Sequence, residues 1–339
     1  MEATSQILIT GATGFVGRYL VRALLDKGER PRVLVRSEDK ARALFGDRVV
    51  CFQGDLCDKG TLRKAMKGVS TVYHVAGLYL FGKSHEKTLL EVNVRGTEAV
   101  LEAAHQAGVS KVVHVSSAGV LASMERIPDE TTFPESCPEG RPYKASKWQA
   151  ERVAMAWAER GLPVTIASPT CPLGPEDNTP TGQIIRDFLE GRFFLSSRTG
   201  LNFSDCRDLA EGLIACAEQG RPGERYVLGH HNLMLTDFLH LLSGETGLPG
   251  PRGEVPWPLI AAAAAGTEAL QTFGLMGESP RLCWETAKQS RYIQFFDSKK
   301  ARLELGWQPR SPLIETLNRT LAFYGAGRAV AAVPVGEAA

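Results

Sequence analysis

Residues 6–25, QILITGATGFVGRYLVRALL, decide the fold of this chain because they combine three patterns in succession. A short apolar run leads into a loop with Gly11, Gly14 and Gly17, and apolar residues at helical spacing follow. Gly11 allows a tight turn, Gly14 lets the backbone approach a phosphate, and Gly17 lets the helix pack close to the sheet. A strand, a glycine loop and a helix N-terminus are what a pyrophosphate requires. The stretch therefore predicts a nucleotide-binding α/β domain.

The composition limits the functional classes to which the chain can belong. The chain has 339 residues, 43% of them hydrophobic, and a formal charge of +1, which allows one large domain or a domain with a lobe. The balanced charge argues against a nucleic-acid-binding surface. Seven cysteines without a C-x-x-C pair predict mostly reduced, buried thiols and neither a disulfide framework nor a metal site. The polar start at residues 1–5 indicates no secretory signal, and we expect a cytoplasmic protein.

The most apolar segment runs from Trp257 to Met276, but Gly266, Thr267 and Glu268 interrupt it. It falls short of the roughly 20 consecutive apolar residues that a membrane span needs, so we expect no transmembrane segment. Two interpretations stay open. The segment is either an Ala-rich helix packed on the protein or a surface for lipid or an apolar substrate.

Further apolar runs predict strands, and the carboxyl ends of parallel strands are where ligands bind. These runs are Arg32–Val35, 49–56, 69–77, Lys111–Val115 and 162–169. Arg36 follows the second strand, where an arginine can accept the 2′-phosphate of NADP and an acidic residue would bond the ribose of NAD. NADP(H) is therefore favoured over NAD(H). Ser37, Lys40 and Arg42 could assist, whereas Glu38 and Asp39 weaken the preference, and a solvated surface charge is the alternative role for Arg36.

The segment YKASK, residues 143–147, suggests acid–base chemistry. In a helix, Tyr143 and Lys147 project from one face. A free tyrosine has a pKa near 10, and an ammonium within about 4–6 Å lowers it, so we expect Lys147 to lower the pKa of Tyr143. Ser117 ends the fifth strand and would stabilise charge on a substrate oxygen. Ser116 is its rival, but strand alternation places the two side chains on opposite sides.

Five motifs fall in sequence: TGATGFVG, then GDL at 54–56, NVRGT at 93–97, SS at 116–117 and YKASK. Together they resemble the extended branch of the short-chain dehydrogenase/reductase superfamily, which includes nucleotide-sugar epimerases, dihydroflavonol reductases and 3β-hydroxysteroid dehydrogenases. Residues 168–192, SPTCPLGPEDNTPTGQIIRDFLEGR, and 220–235, GRPGERYVLGHHNLML, resemble dihydroflavonol-reductase-like proteins and hopanoid-associated sugar epimerases.

The resemblance implies an α/β fold, a Rossmann doubly wound parallel sheet with a smaller C-terminal substrate-binding lobe. We expect an NADP-binding core at 1–169, a mixed α/β lobe at 170–325 with some segments returning to the core, and a flexible tail at 326–339. It also implies that Asp55 bonds the adenine amino group, that Leu56 packs on the ring and that Pro169 lies against the nicotinamide. The expected cofactor-binding residues are Gly11, Thr13, Gly14, Phe15, Val16, Gly17, Arg36, Asp55, Leu56, Val75, Ala76, Gly77, Tyr143, Lys147 and Pro169.

Three polar residues receive mainly structural interpretations. His74 is expected to be buried in its strand. Asn93 either holds the backbone near the active site or caps a helix. Asp208 matches a family position that begins a helix, so we expect a helix cap there.

The expected function is NADP(H)-dependent reduction of an aldehyde or ketone, with Ser117, Tyr143 and Lys147 as the catalytic residues and without a metal. The substrate would be a small, possibly lipid-like or sugar-like molecule, and a homodimer is an expectation from the superfamily. The alternative is a nucleotide-sugar epimerase/dehydratase with tightly bound NAD(P), in which Arg186, Arg192 and Arg198 could bind a diphosphate. A third reading is a non-catalytic NADP sensor on the same fold.

Overall fold

The computed structural model describes residues 6–121, 127–272 and 282–326. The strands are β1 (Ile7–Thr10), β2 (Arg32–Val35), β3 (Val50–Gln53), β4 (Thr71–His74), β5 (Lys111–Val115), β6 (Val164–Pro169), β7 (Cys171–Leu173), β8 (Gly200–Asp205), β9 (Arg225–Leu228) and β10 (His231–Met234). The helices are α1 (Phe15–Asp26), α2 (Glu38–Phe45), α3 (Lys59–Met66), α4 (Glu86–Leu89), α5 (Gly96–Gln106), α6 (Pro142–Glu159), α7 (Pro180–Leu189), α8 (Cys206–Gln219), α9 (Leu235–Thr246), α10 (Trp257–Thr272), α11 (Trp284–Gln289), α12 (Lys299–Leu305) and α13 (Leu313–Phe323).

The main sheet is parallel and has seven strands in the order β3-β2-β1-β4-β5-β6-β9. Strand order reverses between β1 and β4, where Ile9 is paired with Val33 on one side and Tyr73 on the other. Such a reversal opens a crevice outside the carboxyl ends of the strands. The sheet confirms the predicted Rossmann doubly wound α/β fold.

Neighbouring residues of β1 supply two different cores, since successive side chains of a strand point to opposite faces. Ile9 packs with Leu20 of α1 and Leu213 of α8, whereas Leu8 packs with Leu62 of α3 and the inner faces of α5 and α6. Burial of each such side chain contributes about 1.5–3 kcal/mol before the entropy of ordering the chain is counted. Helices on both faces thus hold the sheet that carries the site.

A second, three-stranded sheet, β10-β8-β7, lies in the C-terminal half. Its core includes Phe203 and Phe238, whose rings stack at 4.2 Å, together with residues of α7 and α13. The predicted domain division at residue 169 stays a prediction. Of the predicted tail, only Ala326 lies within the described residues.

The Trp257–Met276 segment forms helix α10 as far as Thr272, and residues 273–276 lie outside the described residues. Along the described chain, no helix combines the length and apolarity that crossing a bilayer demands. The helix is tied to α11, because the Trp257 indole N–H donates to the Ala287 carbonyl oxygen at 2.9 Å.

Several local predictions were wrong. Asn93 does not cap a helix, since the helix there begins at Glu86 and passes through a π-helical turn over residues 90–95 before α5. Asp205, not Asp208, caps α8: its side chain accepts from the Arg207 N–H, whereas Asp208 accepts from the Ser311 N–H. Strand β8 ends at Asp205 and α8 begins at the next residue, so the last residue of the strand is also the helix cap. The cysteines were also predicted to be mostly buried, but only three are: Cys206, Cys216 and Cys283.

Candidate active site

The glycine loop is fixed by close approaches of the backbone. Gly11 has a φ of +72°, and a Cβ there would lie 2.5 Å from the backbone nitrogen of Ala76. A Cβ on Gly17 would collide with the Gly11 carbonyl oxygen. Gly14 is exposed at the N-cap of α1, so the first backbone N–H groups of that helix face the cleft. These features fit a bound pyrophosphate.

A cleft of about 460 Å³ follows the carboxyl ends of the strands. All of the residues predicted to bind the cofactor or to act in catalysis line it: Gly11, Thr13, Gly14, Phe15, Val16, Gly17, Arg36, Asp55, Leu56, Val75, Ala76, Gly77, Ser117, Tyr143, Lys147 and Pro169. The structure thus brings together residues that are spread over more than 150 positions of sequence.

Arg36 lies exposed in this cleft directly after β2, and Lys40 lines the cleft as well. The carboxylate of Glu38, which could have opposed a phosphate, is paired with Arg42 at 2.8 Å. Arg42 also contacts Asp47 at 3.2 Å and is not among the described residues that line the cleft, so its assistance to Arg36 stays a prediction. Ser37 caps α2 by accepting from the Lys40 N–H at 3.2 Å.

Tyr143 lies in the first turn of α6, within an aromatic wall that sequence reasoning did not find. Its ring centroid is 4.4 Å from that of Tyr79 and 5.9 Å from that of Phe81. Burial raises the pKa of Tyr143 to about 12, against the opposing effect of a hydrogen bond with Ser117. The expected lowering of this pKa was wrong, because removal of the phenol from water outweighs the effects that lower it. The phenol is consequently protonated at neutral pH.

Lys147 is buried on the same face of α6, and its ammonium donates to the Val115 carbonyl oxygen at 2.7 Å. Burial lowers its pKa to about 8. The ammonium lies beneath the Ala76-Gly77 turn, since a Cβ on Gly77 would be 3.7 Å from Nζ. One bond to Val115 leaves further N–H donors of Lys147 for a ligand.

Asn93 holds the backbone near the site, which decides between its two predicted roles. Its amide oxygen accepts from the Leu78 N–H at 2.7 Å, and its amide nitrogen donates to the Leu78 carbonyl oxygen at 3.0 Å. The nitrogen also donates to Ser146 at 2.9 Å, which joins the β4 loop to α6. His74 is buried in β4 as predicted, and burial lowers its pKa to about 3.

The two serines at the end of β5 have different partners. The Ser116 hydroxyl donates to Glu151, a fully buried carboxylate that also forms an ion pair with Arg225 of β9. The Ser117 hydroxyl instead interacts with Tyr143 and accepts from the Gly119 N–H at 3.2 Å. Ser116 therefore belongs to the protein interior, and Ser117 belongs to the cleft.

Sequence reasoning missed much of the end of the cleft around Tyr143. Its additional lining residues include Tyr79, Phe81, Arg141, Lys144, Glu285 and Tyr292. Arg141 and Lys144 lie over the Tyr292 ring at 5.2 and 5.8 Å. Only Arg141 and Lys144 stood close to a recognised motif, whereas the other residues come from loops and a short helix without a distinctive spacing.

A loop after β7 closes over the start of α1. Glu176 forms ion pairs with Arg18 and Arg22, and the Tyr19 hydroxyl donates to the Pro175 carbonyl oxygen at 3.1 Å. Glu176 has a φ of +66°, which is rare for a residue with a side chain, so tertiary contacts hold this turn. Asn178 and Thr179 of the same loop line the cleft.

Two of the three arginines that could have bound a diphosphate are engaged elsewhere. Arg186 donates to the Gln183 side chain at 3.0 Å and to the Tyr324 hydroxyl at 2.9 Å, and Arg192 pairs with Asp187 at 2.8 Å. Neither these two nor Arg198 is among the described residues that line the cleft.

Comparisons with known proteins agree with this geometry. A model of the NAD dependent epimerase/dehydratase family matches residues 7–229. The chain is 36% identical over 319 residues to a protein of Synechocystis sp. named "Putative dihydroflavonol 4-reductase", with 91% of each chain covered. It is 33% identical over 307 residues to sterol demethylase protein B of Methylococcus capsulatus, with 90% of this chain and 94% of the relative covered. The crystal structure of gox2253 has a TM-score of 0.81 and 34% identity, with 95% of this chain and 98% of that chain covered.

Proposed function

We propose that this chain, which belongs to the NAD-dependent epimerase/dehydratase family, is an NADP(H)-dependent reductase of aldehydes or ketones. One observation carries the proposal. The cleft places Ser117, Tyr143 and Lys147 at one end of a parallel sheet, and Arg36 lies in the same cleft beside the dinucleotide loop. A proton donor and a cofactor phosphate site in one continuous cleft suit carbonyl reduction.

In this mechanism the chain supplies the proton and the charge stabilisation. Tyr143, which is protonated at neutral pH, donates its phenolic proton to the carbonyl oxygen. The Ser117 hydroxyl donates a hydrogen bond to the same oxygen as negative charge develops on it. When bound, NADPH supplies the hydride. The Lys147 ammonium would bind the ribose hydroxyls beside the nicotinamide while Val115 fixes its position.

The preference for NADPH follows from the charges at the adenosine end. Arg36 and Lys40 are both positive and both line the cleft, and Glu38 is neutralised by Arg42. Two cations can bind a 2′-phosphate with charge-assisted hydrogen bonds, whereas NAD would leave them without that partner.

The substrate end favours an apolar or aromatic carbonyl compound. Tyr79, Phe81, Tyr292 and Phe296 supply four aromatic rings to the wall. A nucleotide sugar would require compensation of its diphosphate, and none of the three arginines considered for that purpose is among the described residues that line the cleft. The aromatic wall therefore favours carbonyl reduction over epimerisation of a nucleotide sugar.

The test is NADPH oxidation at 340 nm by the purified protein with a fixed panel: 4-nitrobenzaldehyde, cinnamaldehyde, a steroid ketone and UDP-glucose. We expect turnover of at least one aldehyde or ketone and a faster rate with NADPH than with NADH. Conversion of UDP-glucose to an epimer without net cofactor oxidation would overturn the proposal. NADPH binding by the purified protein without turnover of any of these compounds would favour the interpretation as a non-catalytic NADP sensor.

A further inference from the structure

Glu285, at the start of α11, reaches the cleft from the C-terminal half of the chain. It is only 4% exposed. One carboxylate oxygen accepts from the backbone N–H of Tyr143 at 3.0 Å, and the other accepts from the backbone N–H of Gly82 at 3.2 Å. The backbone N–H of Lys144 also contacts this carboxylate.

Two of these donors, the backbone N–H groups of Tyr143 and Lys144, are ones that the start of α6 cannot satisfy by itself. The helix begins with Pro142, and the side chain of its N-cap residue, Arg141, makes no capping bond. The first backbone N–H groups of a helix need an acceptor, and a negative charge is favoured there. Glu285 thus serves as a cap supplied by a distant segment, and it fixes the turn that carries Tyr143.

The hydrogen bond from Gly82 connects the same carboxylate to the aromatic wall. Gly82 directly follows Phe81, and the rings of Phe81 and Tyr79 pack against Tyr143. One buried carboxylate therefore joins the two backbone segments that determine where the phenol lies.

Helix α10 forms hydrogen bonds with the segment that carries Glu285. The Trp284 N–H donates to the Glu268 side chain at 2.9 Å, and the Thr267 hydroxyl donates to the Leu282 carbonyl oxygen at 2.6 Å. Burial raises the pKa of Glu285, while the backbone N–H donors and Arg141 act in the opposite direction. The Glu285 side chain thus lies between the segment that contacts α10 and the N–H donors of α6.

We propose that Glu285 is a positioning residue that sets the place of Tyr143 through the backbone of α6, without exchanging a proton with the substrate. This inference rests on the proposed reductase function.

The experiment compares Glu285→Gln with Glu268→Gln, which makes the same chemical change one contact further from the cleft. Each full-length variant is assayed for NADPH affinity by fluorescence, for kcat and KM with NADPH and 4-nitrobenzaldehyde, and for backbone hydrogen exchange. For Glu285→Gln we expect kcat to fall about 10- to 100-fold, because small misplacements of a catalytic group have effects of this size. KM and the Kd of NADPH should change less than about threefold, as no cofactor contact is lost.

Hydrogen exchange should accelerate selectively in peptides covering 78–85 and 140–147, and Glu268→Gln should leave kcat within about threefold. Glu285→Asp, which retains the charge on a shorter side chain, should have an intermediate kcat and serves if Glu285→Gln does not fold. Unchanged exchange in both peptides overturns the inference, whatever the activity. Uniformly faster exchange with an unchanged kcat per bound NADPH also overturns it, since that result indicates a purely structural role. If Tyr143→Phe retains turnover, the proposed function fails instead.

Discussion

Replacement of Tyr143 by phenylalanine isolates the proton donor, because it removes one oxygen and leaves the ring. The packing on Tyr79 and Phe81, with centroids at 4.4 and 5.9 Å, is retained, so the lost hydrogen bond should change the free energy of unfolding by only about 0.5–1.5 kcal/mol. General acid catalysis contributes about 10²- to 10⁴-fold, and we expect kcat to fall by that factor. This corresponds to about 3–5 kcal/mol of activation free energy.

The assay is NADPH oxidation under saturating cofactor, with the Kd of NADPH measured in parallel. Tyr79→Phe is the matched control, since it deletes the same group from the neighbouring ring, and its kcat should stay within about threefold. Turnover by Tyr143→Phe above a tenth of the wild-type value would refute the assignment of Tyr143 as the proton donor. A large loss of NADPH affinity would refute the claim that the effect lies in the chemical step.

Three further predictions concern the cofactor, the interior and the pH dependence. Arg36→Asp should weaken NADPH binding about 10- to 100-fold while changing NADH binding little, and equal effects on the two would remove the basis for the NADP preference. Arg225→Met leaves Glu151 buried without its cation and should lower the free energy of unfolding in urea by about 3–5 kcal/mol, whereas the half-exposed Arg207→Met should cost less than about 1 kcal/mol. Burial lowers the pKa of Lys147 to about 8, so its ammonium is present below that pH and is lost above it. Reductase activity should therefore decline as pH rises through about 8, and a flat profile to pH 10 would contradict the role of Lys147.

The dinucleotide half of the site was accessible to sequence reasoning because its signals are local. The glycine loop, the strand ends and the i, i+4 pair Tyr143 and Lys147 are each encoded within a few residues, and a parallel sheet gathers strand ends at one edge. Fold class follows from the same repetition of strand and helix. The structure confirms the fold, and the catalytic roles stay predictions.

The substrate half was not accessible because its residues are placed by tertiary contacts. Glu285 stands 142 positions after Tyr143, in a helix of six residues that no periodicity marks. The raised pKa of Tyr143 likewise depends on burial by Tyr79 and Phe81, which a spacing argument cannot evaluate. The misplaced helix cap at Asp208 has a similar cause, since Asp205 ends a strand and starts a helix at once.

The cleft residues are spread widely along the chain, so they leave the ribosome at different times. The cleft takes walls from Gly11 to Phe296, and β9, which covers the edge of β6, begins only at Arg225. A nascent chain in which β6 has emerged but β9 has not thus presents an open β6 edge and lacks Glu285. Parallel sheets form slowly and expose such edges while they wait for later strands. Synthesis must be nearly complete before Tyr143 can contact Glu285. Premature termination would therefore yield chains that carry the dinucleotide loop but cannot position the Tyr143 proton donor.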